Sequence, residues 1–437
     1  TMVTTVAGHR AISSDGSNLY VVDEVADQVD AYDRNNTDGD ANFGDLSSIG
    51  DVMQADIDAV SHMIISADDK NLYLAATGTD KVVVINRNIS TGAITHATSY
   101  DDTALAFNAT ETLVGMHRLS LSPDGEHLFI SNPINSDLDD GSLLVLSRNS
   151  QGLLSKDQKV AFEGMEGLSD VVVTQDGKQV LTTATNGKTL MAFDRRQPDP
   201  TFSFVEAEID QVNDPNDSAG MVDGLLGAAA VAVSKDGNHV YAASIGDNAI
   251  AAFTRDKSKG STAATRGEHL LFIDSYREGE NGITGIADVN SLTLSPDGDY
   301  LYAGSRDEST LAVFSRMADG TLTFVTSYSH ATGTTDGLLG ISDMVVDSTS
   351  QSLYVVGQFE ASVAHYSIDG SGQLSLVGAI ANGELGVSGL AGARTLALSP
   401  DGEHLIVGSG IDDSVVVLSR TLANGEISFQ QHLAGVG

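Results

Sequence analysis

The 437 residues contain no cysteine and no tryptophan. The first absence excludes a disulfide framework, a thiolate nucleophile and any cysteine-ligated metal. Aromatic residues make up only 5%, which counts against a sugar site built from stacked rings. No apolar run approaches the roughly 18 residues that a membrane span needs, so no membrane insertion is expected. Basic residues are scarce: 23 Lys and Arg stand against 60 Asp and Glu, for a net charge of −37. A nucleic-acid partner needs a basic surface and is excluded on that ground. The opening stretch "TMVTTVAGHR" has neither the basic start nor the apolar core of a signal peptide. The expectation is therefore a mature or excised piece, or a cytosolic chain. Helix signals are nearly absent as well.

What the chain does have is repetition. "LSLSPDGEHLFISNPI", "SLTLSPDGDYLYAGSR" and "TLALSPDGEHLIVGSG" are near copies. The glycine of the shared turn falls at Gly16, Gly125, Gly177, Gly237, Gly298 and Gly402, with Asp69 and Ser350 in its place in two degenerate copies. These eight markers stand 52 to 61 residues apart. A short alternating strand precedes each marker and "YLYAGS"-like, "LAVFSR"-like and "LTFVTSY"-like strands follow it, the period-2 pattern of β structure. In the turn, proline presets φ, aspartate bonds its own backbone and glycine takes the positive φ. A lone four-stranded sheet cannot bury both faces, whereas radially arranged sheets can. The expected fold is all-β: a single β-propeller over residues 1–437, with eight four-stranded blades.

The pattern "LSPDGxxLYV…VxVFxR…GxLxfV" resembles the lactonase-like, YVTN-type propeller repeats. These occur in 6-phosphogluconolactonase-like and muconate-lactonizing-like proteins and in bacterial surface proteins. The resemblance spans nearly the whole chain. It implies the fold, and allows a lactone hydrolase among several activities.

Antiparallel order sends the "SPDG" turns to one face and the longer, more varied loops to the other, where function is usually grafted. Residues entering the first strand of each blade are His9, His62, His117 with Arg118, Asp170, Ala230, Asn290, Asp343 and Arg394. They are expected to ring the mouth of the channel, as a ligand site or as polar residues that solvate it. The second-to-third-strand loops are acid-rich, and "DLDDG" places Asp137, Asp139 and Asp140 within four residues. Calcium takes six to eight oxygens from flexible loops, so this rim is a candidate calcium site; no organic cofactor is expected. The third strand ends in Arg34, Arg87, Arg148, Arg195, Arg255, Arg316 and Arg420, with Ile368 breaking the series. A feature on nearly every blade reads as an ion pair or carbonyl contact between strands. "DGLLG" occurs at 223–227 and 336–340, where glycine lets the connecting loop turn tightly.

Neither a G-x-S-x-G elbow nor an H-E-x-x-H motif is present. Characterised lactonase-like members usually have seven blades, and eight copies depart from that. With the acidity and the missing motifs, this favours a non-enzymatic, secreted or cell-surface module of adhesin or matrix type. Its partner would be a glycan, protein or small molecule on the upper face, the one that carries the longer loops. The periplasm and cytoplasm are the alternative compartments. The alternative function is a lactonase-like hydrolase at the channel mouth, with histidine as base and arginine stabilising the oxyanion.

Overall fold

The second strand of each repeat is apolar almost throughout, as in "NLYVVD", "NLYLAA" and "HVYAAS", and in the folded protein nearly every such residue is buried. A strand apolar on both faces must be covered on both sides, which only neighbouring sheets can do. The computed structural model describes residues 10–23, 26–37, 42–107, 112–133, 141–161, 164–195, 202–210, 221–257, 269–384, 386–412 and 414–434. These form eight four-stranded antiparallel sheets, each built from four consecutive strands, the blades of an all-β propeller. The blades span 10–53, 60–100, 118–160, 168–209, 228–277, 289–329, 341–381 and 393–434. Among the described residues there is no helix. Two compact units divide them. One holds blades one, two, seven and eight and the turn 150–153; the other holds blades three to six. Fully burying a leucine, valine or tyrosine contributes about 1.5–3 kcal/mol, and such residues from adjacent blades form shared clusters.

All eight markers adopt the left-handed backbone, including Asp69 (φ 56°) and Ser350 (φ 58°), so the degenerate copies keep the turn. The arginine series proves to be a joint. Arg34, Arg148, Arg255, Arg316 and Arg420 each donate to the carbonyl of their own blade's marker glycine, and Arg87 donates to that of Asp69. In several blades the same guanidinium reaches an aspartate in the preceding blade's turn, which for Asp347 stands in the serine's place. Arg255 lies 3.0 Å from Asp176, Arg316 3.3 Å from Asp236 and Arg420 2.7 Å from Asp347. Arg34 pairs with Asp401 and lies 2.6 Å from His404 Nδ1, which joins the last blade to the first.

A second component of the joint is a tyrosine. The hydroxyls of Tyr20, Tyr73, Tyr241 and Tyr354 donate to the carbonyls of Gly92, Gly152, Gly320 and Gly425 in the following blade. Three of them also accept from that blade's arginine: Tyr20 from Arg87, Tyr241 from Arg316 and Tyr354 from Arg420. Burial pushes the Tyr20 and Tyr241 hydroxyls up to about 12. Tyr20→Phe leaves the Gly92 carbonyl and a buried arginine donor without their partner, so a loss of about 1–3 kcal/mol is expected. A lower urea midpoint at unchanged m-value is the diagnostic; an unchanged midpoint would refute the role.

The acid excess carries a local cost. Asp30 stands directly opposite Asp51 across two strands, with Asp23 nearby. Burial, then Asp23 and Asp51, push its carboxyl up to about 6, against the opposing amide of Gln28 at 2.8 Å. The folded state therefore holds this proton more tightly than the unfolded chain, whose aspartates titrate near about 3.9. Stability falls as pH rises from about 4 to about 6 and is level above that. Asp30→Asn is expected to raise stability at pH 7 by about 1–2 kcal/mol, allowing for solvent screening, and to give no gain at pH 4. Urea midpoints at the two pH values decide it; equal effects at both would remove the electrostatic cause.

Candidate functional site

The first strands of six blades carry a bulge, and in two of them the sequence-predicted residue falls in the bulge rather than in register. It falls between Val60 and His62, Leu168 and Asp170, Ala228 and Ala230, Val289 and Ser291, Ile341 and Asp343, and Ala393 and Thr395. His62, Arg118, Asp170 and Asp343 occupy one equivalent register position, opposite Ala75, Ser131, Thr183 and Val356. Asn290 and Arg394 stand in the bulge itself, and the residues in register with the others are Ser291 and Thr395. A bulge re-aims side chains. Two bulge serines use it to reach the next blade: Ser169 Oγ donates to the Ala228 carbonyl at 2.9 Å, and Ser342 Oγ to that of Ala393 at 3.3 Å. His9, and the candidate calcium ligands Asp137, Asp139 and Asp140, lie outside the described residues.

Blades three to six bring His117, Arg118 and Asp170 together. His117 directly precedes the first strand of blade three, and its N–H donates to the Ser131 carbonyl at 2.9 Å. Arg118 opens that strand (Arg118–Leu121), and its N–H donates to Ser131 Oγ at 3.1 Å. The Arg118 guanidinium lies 3.7 Å from Asp170 Oδ1, with side chains 49% and 17% exposed. Asp170 is anchored on two blades: Oδ1 accepts from Val171 N–H at 3.0 Å and Oδ2 from Val231 N–H at 3.2 Å. Desolvation and the adjacent Arg118 charge hold the His117 imidazole below its ordinary pKa, Asp170 acting in the opposite sense. The result is an imidazole shifted toward its neutral form, next to a half-exposed guanidinium that lies near a carboxylate held by two backbone donors. In blade six, Asn290 Oδ1 is buried with no protein donor.

The other unit repeats the carboxylate device. Asp343 accepts from Met344 N–H at 2.9 Å and from Leu396 N–H of the next blade at 2.8 Å. Beside it lies Arg10, a residue the sequence reading passed over. Arg10 donates to Thr395 Oγ1, and burial lowers its pKa to about 10, with Asp343 opposing. Its register position is filled elsewhere by Met63, Leu119, Val171, Val231, Leu292, Met344 and Leu396. A charge at an otherwise apolar repeat position was the signal that would have found it.

The family model described as "Lactonase, 7-bladed beta-propeller" matches residues 7–114, 268–384 and 334–437, more than half of the chain. The chain belongs to this lactonase propeller family. The expectation of a non-enzymatic adhesin or matrix module is thereby overturned in favour of the lactonase-like alternative. The absence of short catalytic motifs misled, because a propeller site draws its residues from separate blades. This lactonase-family chain has eight blades rather than seven, and its residues 115–267, with His117, Arg118 and Asp170, lie outside the matched stretches.

No curated protein matches the chain. Solved structures do. A putative 6-phosphogluconolactonase from Bacteroides fragilis is 18% identical at TM-score 0.58, covering 81% of this chain and 90% of that one. The periplasmic gluconolactonase of Pseudomonas aeruginosa is 16% identical at TM-score 0.54, covering 86% and 94%. Saccharomyces cerevisiae Sqt1 is 10% identical at TM-score 0.66, covering 95% of each. At these identities the likeness carries the fold.

Proposed function

We propose that the chain hydrolyses a lactone, with His117 as base, Arg118 as the donor to the developing oxyanion and Asp170 as the group that orients Arg118. The observation that carries this reading is that Arg118 and Asp170 meet from adjacent first strands with His117 directly before the first of them, its imidazole pKa lowered. His117 takes a proton from water, and the hydroxide oxygen adds to the lactone carbonyl. Negative charge develops on the carbonyl oxygen, where a guanidinium N–H is worth most. The ring C–O bond then breaks, the proton passes to the leaving ring oxygen and a hydroxy acid is released. Family membership supports the reaction class.

The net charge of −37 disfavours the approach of anions, which favours an uncharged sugar lactone over a phosphorylated one. Alkali uptake in a pH-stat, with glucono-δ-lactone and its 6-phosphate as substrates, tests both points. Acceleration of the uncharged lactone above spontaneous opening supports the proposal. Preference for the phosphate ester overturns the charge argument alone, and acceleration of neither overturns the hydrolase.

A further inference from the structure

We infer that His330, Asp336 and Glu360 form a binding site for a divalent transition-metal ion such as Zn²⁺. His330 directly follows the last strand of blade six, Asp336 opens the second "DGLLG", and Glu360 sits in the loop between the second and third strands of blade seven. His330 Nδ1 lies 2.9 Å from Asp336 Oδ1 and 3.5 Å from Glu360 Oε1. Ligands bound to zinc at about 2.0–2.2 Å stand about 3.0–3.5 Å apart; the two histidine–carboxylate distances are close to that range, and the three ligand atoms all lie within 4.8 Å of one another.

The far oxygen of each carboxylate is tied down. Asp336 Oδ2 accepts from Ala331 N–H at 2.9 Å and from Thr334 Oγ1 at 3.1 Å, while Glu360 Oε2 accepts from Gly337 N–H at 2.7 Å and Ser362 Oγ at 2.9 Å. Such outer partners orient metal ligands. The side chains are 17%, 9% and 11% exposed, which leaves a path for an ion and a water ligand. An imidazole with two carboxylates suits zinc or manganese better than calcium.

A second copy of the constellation shows what is different here. At the equivalent positions around the first "DGLLG" stand Asp210, Asp223 and Asp247, and there a side chain supplies the positive charge. Arg277 lies 3.1 Å from Asp247 and pairs with Asp223. Arg277 is paired in register with Ala249, the first residue of its blade's third strand; the matching pair in blade seven is Ser362 with Ala381. Alanine thus replaces the arginine, histidine stands in the place of Asp210 and glutamate in that of Asp247. The site has lost its built-in cation and gained a metal ligand.

The test uses the whole chain, stripped with chelator and dialysed, titrated calorimetrically with ZnCl₂, MnCl₂ and CaCl₂. The expected result is zinc binding at one site, a raised melting temperature in zinc but not in calcium, and loss of both in His330→Gln. Glutamine keeps a hydrogen-bonding side chain at that position, and circular dichroism verifies the fold. Should that variant unfold, Glu360→Gln is read in its place, with at least a tenfold loss of zinc affinity expected. No zinc binding by the wild-type chain, or unchanged binding in a folded variant, overturns the assignment. Lactone hydrolysis plays no part in the readout.

Discussion

Replacing Arg118 by alanine is expected to lower kcat/KM for lactone hydrolysis by about 10²–10³-fold, the usual effect of removing one oxyanion donor. The fold should barely register the change. Arg118 is half exposed, and its 3.7 Å pair with Asp170 is of the kind that contributes about 0–1 kcal/mol. Asp170 keeps two backbone donors without it. The pH profile adds a second reading. Because desolvation and Arg118 hold the His117 imidazole below its ordinary value, the acid limb of the wild-type profile should lie below about 6.5 and level off above it. In Arg118→Ala a positive neighbour is gone, so that limb should move toward higher pH. Initial rates of lactone opening between pH 4 and 8 give both results. A variant within twofold of wild type, with an unmoved limb, would remove these residues from the reaction.

Arg420→Ala should act on stability alone, and strongly. Its guanidinium and the Asp347 carboxylate are only 5% and 4% exposed, and they meet at 2.7 Å. The same guanidinium donates to Tyr354 Oη and to the Gly402 carbonyl, so one side chain closes two contacts between blades seven and eight and one within blade eight. Alanine leaves a buried carboxylate without its counter-charge, for which about 3–5 kcal/mol is expected. Arg420→Met, which restores most of the packing volume, should recover only a small part of that. The urea midpoint should drop at constant m-value, and the drop should be nearly independent of salt, since a buried pair is poorly screened. A loss below about 1 kcal/mol, or one that vanishes in high salt, would show the pair to be a surface contact.

The blades were legible because their punctuation is local. Asp69 and Ser350 kept the marker's place in the sequence, and both adopt its left-handed backbone. The arginines were visible as a series, and their joint follows from it. The tyrosine recurs after the marker in five repeats, as Tyr20, Tyr73, Tyr241, Tyr302 and Tyr354, yet the role of those that bond onward lies in a carbonyl of the next blade, which no single repeat reveals. Asn290 and Arg394 were grouped with His62 and Asp170 although they stand eight residues before the turn marker rather than seven. That one-residue difference places them in the bulge, with Ser291 and Thr395 in register. Arg118 and Asp170 could be named because they recur at one repeat position, and His117 because it directly precedes it. His330, Asp336 and Glu360 escaped because each sits at a different position within the repeat. Function was harder to read than fold: the missing motifs describe sites made by one contiguous segment, and here the segments are far apart in sequence.

The arginine–aspartate–tyrosine joint has a consequence for how such a chain can change over evolutionary time. Each sheet is made from consecutive strands, and Arg34 meets Asp401 where the last blade adjoins the first, in the way Arg420 meets Asp347 one blade earlier. A duplicated segment of one repeat therefore arrives with matching connectors on both of its sides. It can be inserted without rethreading any strand and without inventing a new interface. Blade number then becomes a property that gene duplication can alter by whole steps, and a lineage named for seven can hold a member with eight.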